Sequence, residues 1–327
     1  MLYKQKGVLT MLKNKGFYRG INLGGWFSQC DYSEERLDNF IKEEDFAKIA
    51  SWGVDHVRIP FDYNIIENND GTYKSEGFER IERAFQLSRK HNLNIILDLH
   101  KTAGFSFDNY GENESGFFES PELQERFYRL WEALAHRYGK YYENVAFELL
   151  NEITCKEYIT EWNRIARECI RRIRVYAPET LILVGSYHNN SAEAVPALEA
   201  PYDSRVIYNF HCYEPLKFTH QGAYWTDVIN IEDRFRFNES NITPEYFEKL
   251  FAAAIEAARK NDTELYCGEY GVIDIVSPED TVEWFRTINS IFEKYGISRC
   301  AWNYKEMDFG ISDKRLDNVR DTLISYL

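Results

Sequence analysis

The chain is most constrained by a rhythm. Eight short apolar runs, at residues 17–23, 54–59, 93–99, 145–150, 181–185, 205–211, 265–268 and 300–303, alternate with longer stretches whose apolar residues recur at helical spacing. Short runs with few polar breaks are the pattern of strands buried on both faces, as in parallel sheets. Their alternation with amphipathic helices predicts an α/β fold. Eight such units in 327 residues predict a single-domain (β/α)8 TIM barrel. The competing architecture is an open, doubly wound sheet, which normally carries a glycine-rich phosphate turn after its first strand. Gly20, Gly24 and Gly25 fit neither the dinucleotide nor the Walker spacing. Three helix starts are written in the same chemistry: Ser120-Pro121-Glu122, Thr243-Pro244-Glu245 and Ser277-Pro278-Glu279 each pair a capping hydroxyl with proline and an acid in the first turn. Residues 1–16 lack the pattern and read as an N-terminal extension, leaving 17–327 as the barrel domain.

Composition narrows the partners. A net charge of −14 argues against nucleic acid and anionic membrane surfaces, and suits a neutral substrate. No apolar run approaches the ~20 residues that span a bilayer. The first fifteen residues lack the apolar segment of a signal peptide, so the expectation is a cytoplasmic protein, unless a leader has been removed. Six cysteines are scattered without a C-x-x-C pair, which argues against zinc and for a reducing compartment. Aromatic residues make up 16% of the chain, more than enough for packing and for flat platforms under sugar rings.

In a (β/α)8 barrel every strand C-terminus opens onto one mouth. The residues at those ends are Arg58, His100, Asn151, Glu152, His211, Tyr213, Glu269 and Trp302. Glu152 follows the run at 145–150, and Glu269 follows the run at 265–268. Paired carboxylates can cleave an acetal by double displacement, one as nucleophile and the other as proton donor and then base. Retention requires the two groups to stand ~5–5.5 Å apart. No cofactor and no metal is required, and no His-Glu-x-x-His spacing occurs. His56, His91 and His136 fall away from the expected mouth and read as structural or surface residues.

These residues carry a resemblance. Arg58 in His56-Val57-Arg58-Ile59-Pro60, His100 in Leu97-Asp98-Leu99-His100, the Asn151-Glu152 pair, His211-x-Tyr213, Gly268-Glu269-Tyr270-Gly271 and Trp302 stand in the order of a family 5 glycoside hydrolase of clan A. The stretches Arg19 to Trp26, Ala146 to Glu152 and Trp302 to Lys305 are similar to those of small clostridial endo-β-1,4-glucanases of this family. The resemblance implies Glu152 as acid/base and Glu269 as nucleophile. It also implies Asn151 on the sugar 2-hydroxyl, Arg58 and Tyr213 on Glu269, and His211 beside Glu152. His100 would contact the sugar on the non-reducing side of the cut, and Trp302 would be its stacking floor. Trp26 is either a cleft residue or packing at the barrel bottom. Trp225, with Tyr224, is either a sugar platform or core.

Two departures bear on the cleft. Lys101 stands where many members have a second histidine, and Tyr187-His188-Asn189-Asn190 replaces a Gly/Asn-rich loop. The stretch from Cys212 to Ile242 is too short for the helical subdomain some members insert there. The implied activity is retaining hydrolysis of β-1,4-glucan or its oligosaccharides. A β-1,3-glucanase, β-mannanase or β-glucosidase of the same family, and an inactive sugar-binding barrel, remain as alternatives.

Overall fold

The computed structural model describes residues 11–108, 114–226 and 228–327. Eight parallel strands close into a barrel in chain order: β1 (Arg19–Asn22), β2 (His56–Asp62), β3 (Asn94–Lys101), β4 (Val145–Glu148), β5 (Leu181–Val184), β6 (Val206–Cys212), β7 (Leu265–Tyr270) and β8 (Ser298–Ala301). β1 pairs with both β2 and β8, so no strand edge is left open among the described residues. The strands are buried on both faces, and this is why they read as nearly unbroken apolar runs. Outside them lie long helices, among them Ser75–Lys90, Pro121–Tyr138, Ile159–Tyr176, Pro244–Lys260 and Pro278–Tyr295. Ser120, Thr243 and Ser277 accept the backbone N–H groups of Leu123, Tyr246 and Asp280, and each cap contributes about 1 kcal/mol. Of the described residues, no helix is long and apolar enough to cross a membrane.

Two strand ends differ from the sequence reading, and both differences position the site. β4 stops at Glu148 rather than Leu150. Beyond it the chain leaves the ladder: Leu149 N–H donates to the Leu183 carbonyl, and Asn151 N–H reaches back to the Leu99 carbonyl. Asn151 and Glu152 therefore stand on a turn above the strand. β7 runs on to Tyr270, because its register against β6 shifts between Phe210 and His211, and so Glu269 sits within the strand.

Residues 1–10 lie outside the described part, and the end of the expected N-terminal extension, from residue 11, packs against the barrel. A short helix, Met11–Asn14, closes the bottom, with the N–H groups of Met11 and Leu12 donating to the Glu264 carboxylate at 2.5 and 2.9 Å. Leu12 and Phe17 pack against Ile96, Ala146, Leu183, Ile207 and Cys300 inside the barrel. His56 is a bottom residue too, held between Asp55 and Tyr266 at 2.6 Å each. All six cysteines are free, and only Cys155 is exposed.

Candidate active site

The site is built around Arg58. β2 carries its side chain into the barrel, where it is fully buried. All five guanidinium N–H donors are used. Nε and Nη2 make a fork onto Glu148 at 2.7 and 2.8 Å. Nη1 donates to Asn22 Oδ1 at 2.9 Å and Glu269 Oε1 at 2.7 Å, and Nη2 to Asn151 Oδ1 at 2.8 Å. Asp98 adds an ion pair at 3.0 Å. One guanidinium thus orients the amide and one carboxylate of the mouth together.

Glu269 and Glu152 face each other across this centre. One carboxylate oxygen of each, and a ring nitrogen of His211, all lie within 4.8 Å of one another. Tyr213 OH donates to Glu269 Oε2 at 2.8 Å. His211 Nδ1 lies 2.8 Å from Glu152 Oε1 and 3.6 Å from Glu269 Oε2. Asn189 Nδ2 donates to Glu152 Oε2 at 2.9 Å.

The environments of these groups are unlike. Burial pushes the Glu269 carboxyl upward, but His211, Arg58, His100 and the Tyr213 hydroxyl together outweigh it and hold it below the usual range. Burial works against a charged His211, yet Glu269 and Glu152 raise it above its ordinary value. His100 is likewise opposed by burial, and Asp98, 2.6 Å from its Nδ1, carries it to about 9. Glu148 moves the other way, raised by complete burial despite Arg58.

The rings of His100 and Trp302 lie parallel, 6.0 Å between centroids with 3° between planes. Gly24 is required beneath the indole: a Cβ there would stand 2.4 Å from Trp302 Cη2. His100 Nε2 and Asn151 Nδ2 are buried without a partner among the described residues. These are two unsatisfied groups at the mouth, suited to ligand hydroxyls.

The structure therefore brings Arg58, His100, Asn151, Glu152, His211, Tyr213, Glu269 and Trp302 into one cluster. Trp26 is not part of it, and neither is it at the barrel bottom. It is buried in the loop after β1, its N–H donates to the Leu37 carbonyl at 2.8 Å, and its ring stacks on Phe27 at 4.0 Å. With its polar atom and face both occupied, it is packing. Trp225 stands on the rim, 45% exposed, its ring 6.1 Å from His220 and 6.5 Å from Phe309, which in turn packs on Tyr213. Lys101 is buried at the end of β3, in register with Asp62.

Sequence reasoning missed Asp98, Glu148, Asn22, Asn209 and Asn189. Glu148 lies inside the apolar run of β4 and is held by Arg58 and by Asn209 Nδ2 at 2.8 Å. A carboxylate in the middle of a buried strand demands a buried cation, and that was the available signal.

A closed parallel barrel with two carboxylates converging at its mouth, one held below its usual range by His211 and Arg58, has the parts of a carbohydrate-cleaving enzyme. Comparison with known proteins gives the family. Residues 14–308 match the model for cellulase (glycosyl hydrolase family 5). The chain is 57% identical over 318 residues to cellodextrinase A of Ruminococcus flavefaciens, covering 97% of this chain and 94% of that one. It is 37% identical to endoglucanase C of Acetivibrio thermocellus, covering 95% and 98%. The structure superposes on Cel5A of Thermotoga maritima in complex with cellobiose, with a TM-score of 0.81 and 26% identity over 96% of this chain and 98% of that one. The chain belongs to glycoside hydrolase family 5 and is a glycosidase.

Proposed function

We propose that this chain hydrolyses β-1,4-linked glucan, with cello-oligosaccharides as its preferred substrate, by double displacement with retention. The observation that carries the reading is the separation of Glu152 and Glu269, which lie within 4.8 Å through one oxygen each. That spacing suits direct attack by one carboxylate and falls short of the ~6.5–9.5 Å of pairs that seat an attacking water between carboxylate and sugar. Likeness to a cellodextrinase along almost the whole chain supports oligosaccharides over polymer.

Glu269, held ionised by His211, Arg58 and Tyr213, attacks the anomeric carbon. Glu152 transfers its proton to the departing glycosidic oxygen, so a glycosyl–Glu269 ester forms as the first sugar product leaves. Glu152, now a carboxylate, takes a proton from water, whose oxygen displaces Glu269 from the anomeric carbon. Arg58 fixes Asn151 Oδ1, which leaves Asn151 Nδ2 to donate to the 2-hydroxyl beside the reacting carbon. His100 Nε2 meets another hydroxyl of the same sugar, above the Trp302 face. Trp225 offers a stacking platform further out on the rim.

The test is turnover of cello-, manno- and laminari-oligosaccharides and of an aryl β-cellobioside. Cello-oligosaccharides are expected to be cleaved fastest, with the β-anomer formed first. Glu269→Gln should fall to background on every substrate. Glu152→Gln should lose roughly 10²–10⁴-fold on cellotetraose and far less on an aryl glycoside with a good leaving group. Equal turnover by wild type and Glu269→Gln, or first formation of the α-anomer, would overturn the proposal.

A further inference from the structure

One strained stretch of backbone is tied directly to the site. His188, Asn189 and Asn190 have φ of 50°, 54° and 58°, three left-handed residues in succession. Residues with side chains seldom adopt this conformation, and then singly. Glu152, which the turn faces, is itself left-handed at φ 42°. The turn is anchored to the two residues after Glu152: Asn189 N–H donates to the Ile153 carbonyl at 3.0 Å, and His188 N–H to the Thr154 carbonyl at 3.2 Å. Asn190 is completely buried over Gly185, where a Cβ would stand 2.2 Å from its Oδ1. All this sets the Asn189 amide 2.9 Å from Glu152 Oε2. Strain that persists under such anchoring points to a task for the side chain it places.

The two oxygens of Glu152 are divided between partners, His211 Nδ1 on Oε1 and Asn189 Nδ2 on Oε2. His211 also faces Glu269, so its charge acts on both carboxylates. The Asn189 amide bears on Glu152. The titratable groups facing Glu152 are His211 from β6, Tyr213 beyond it and Glu269 from β7, with Arg58 behind Glu269. The exposed His188–Glu193 pair, at 3.7 Å, shares the turn with Asn189.

We infer that Asn189 is a positioning residue for the proton-donating carboxyl: by donating an N–H to Oε2 it fixes the plane of Glu152 and so aims its proton at the leaving-group oxygen. This rests on the reading of Glu152 as acid/base. Proton transfer to the leaving group matters most when that group is a poor one, so a misaimed carboxyl slows a natural glycoside more than an activated one.

Two variants test this. Asn189→Gly keeps the left-handed backbone without the amide, and Asn189→Asp keeps the shape and puts a negative charge beside Glu152. With folding checked by thermal unfolding, Asn189→Gly is expected to lower kcat on cellotetraose about tenfold, with a smaller loss on an aryl β-cellobioside carrying a good leaving group. Asn189→Asp should show the same split between the two substrates. Both substrates slowed by one common factor in both variants, or neither slowed, overturns the inference. Glu152→Gln separates the two levels. If it still cleaves cellotetraose at the wild-type rate, the reading of Glu152 fails. If it is slowed there while the Asn189 variants show no such split, the role of Asn189 alone fails.

Discussion

Arg58→Lys keeps the positive charge at the centre of the site and removes its geometry. The guanidinium makes five hydrogen bonds, to Glu148 twice and to Asn22, Asn151 and Glu269 once each. Lysine has three donors on a single nitrogen. Glu148 Oε1 keeps its bond from Asn209, so at least one of the other four buried acceptors is left without a partner, at roughly 1–3 kcal/mol. In a chain of this size that lowers Tm by about 2–5 °C. The pH dependence has a definite sign. Glu269 is depressed in the folded protein, so its contribution to stability is present above its unfolded pKa and is lost as pH falls through the folded value. Weakening its contact with Arg58 raises the folded pKa. The wild-type advantage over Arg58→Lys is thus largest near neutrality and shrinks in acid, and the acid limb of kcat/KM moves upward in the variant. Thermal unfolding from pH 3 to 7, with initial rates on an aryl β-cellobioside over the same range, measures both. A Tm equal to that of wild type together with an unmoved acid limb would refute the claim that the guanidinium is the hub.

Three further perturbations follow from other parts of the barrel. His100 is raised to about 9 in the folded protein, so its stabilising contribution is complete below its unfolded pKa and is lost as pH rises through about 9. Urea unfolding should show the gap between wild type and His100→Gln narrowing from pH 6 to pH 10. Gly24→Ala places a Cβ 2.4 Å from Trp302 Cη2 and must displace the indole, at a cost of roughly 1–3 kcal/mol, with a rise in KM for cello-oligosaccharides read from initial rates. Glu264→Ala releases the N–H groups of Met11 and Leu12 at the far end of the barrel. It should lower stability by about 1–2 kcal/mol and speed proteolysis near the N-terminus, with kcat unchanged.

Much of this molecule is legible because its pattern and its physics coincide. Strands buried on both faces must be apolar until they reach the mouth, so His100, Asn151 and Glu269 stand out where the apolar runs end. The capped starts at Ser120, Thr243 and Ser277 are equally plain, since each satisfies orphan N–H groups from local sequence. What hides is whatever depends on contacts between distant strands. Glu148 and Asp98 sit inside apolar runs, and their meaning appears only when β2 brings Arg58 between them. Trp26 and Trp225 are alike as letters. The fold buries one against Phe27 and Leu37 and leaves the other on the rim. Asn189 was least legible: asparagine favours single left-handed residues, but three in a row are set by tethering to Ile153 and Thr154.

The most direct test of the central claim is to trap the covalent intermediate. Incubation with an activated 2-deoxy-2-fluoro-β-cellobioside, followed by peptide mass spectrometry, should find one cellobiosyl group per chain, carried on Glu269. A label on Glu152, or a chain that turns over cello-oligosaccharides yet forms no adduct, would contradict the account.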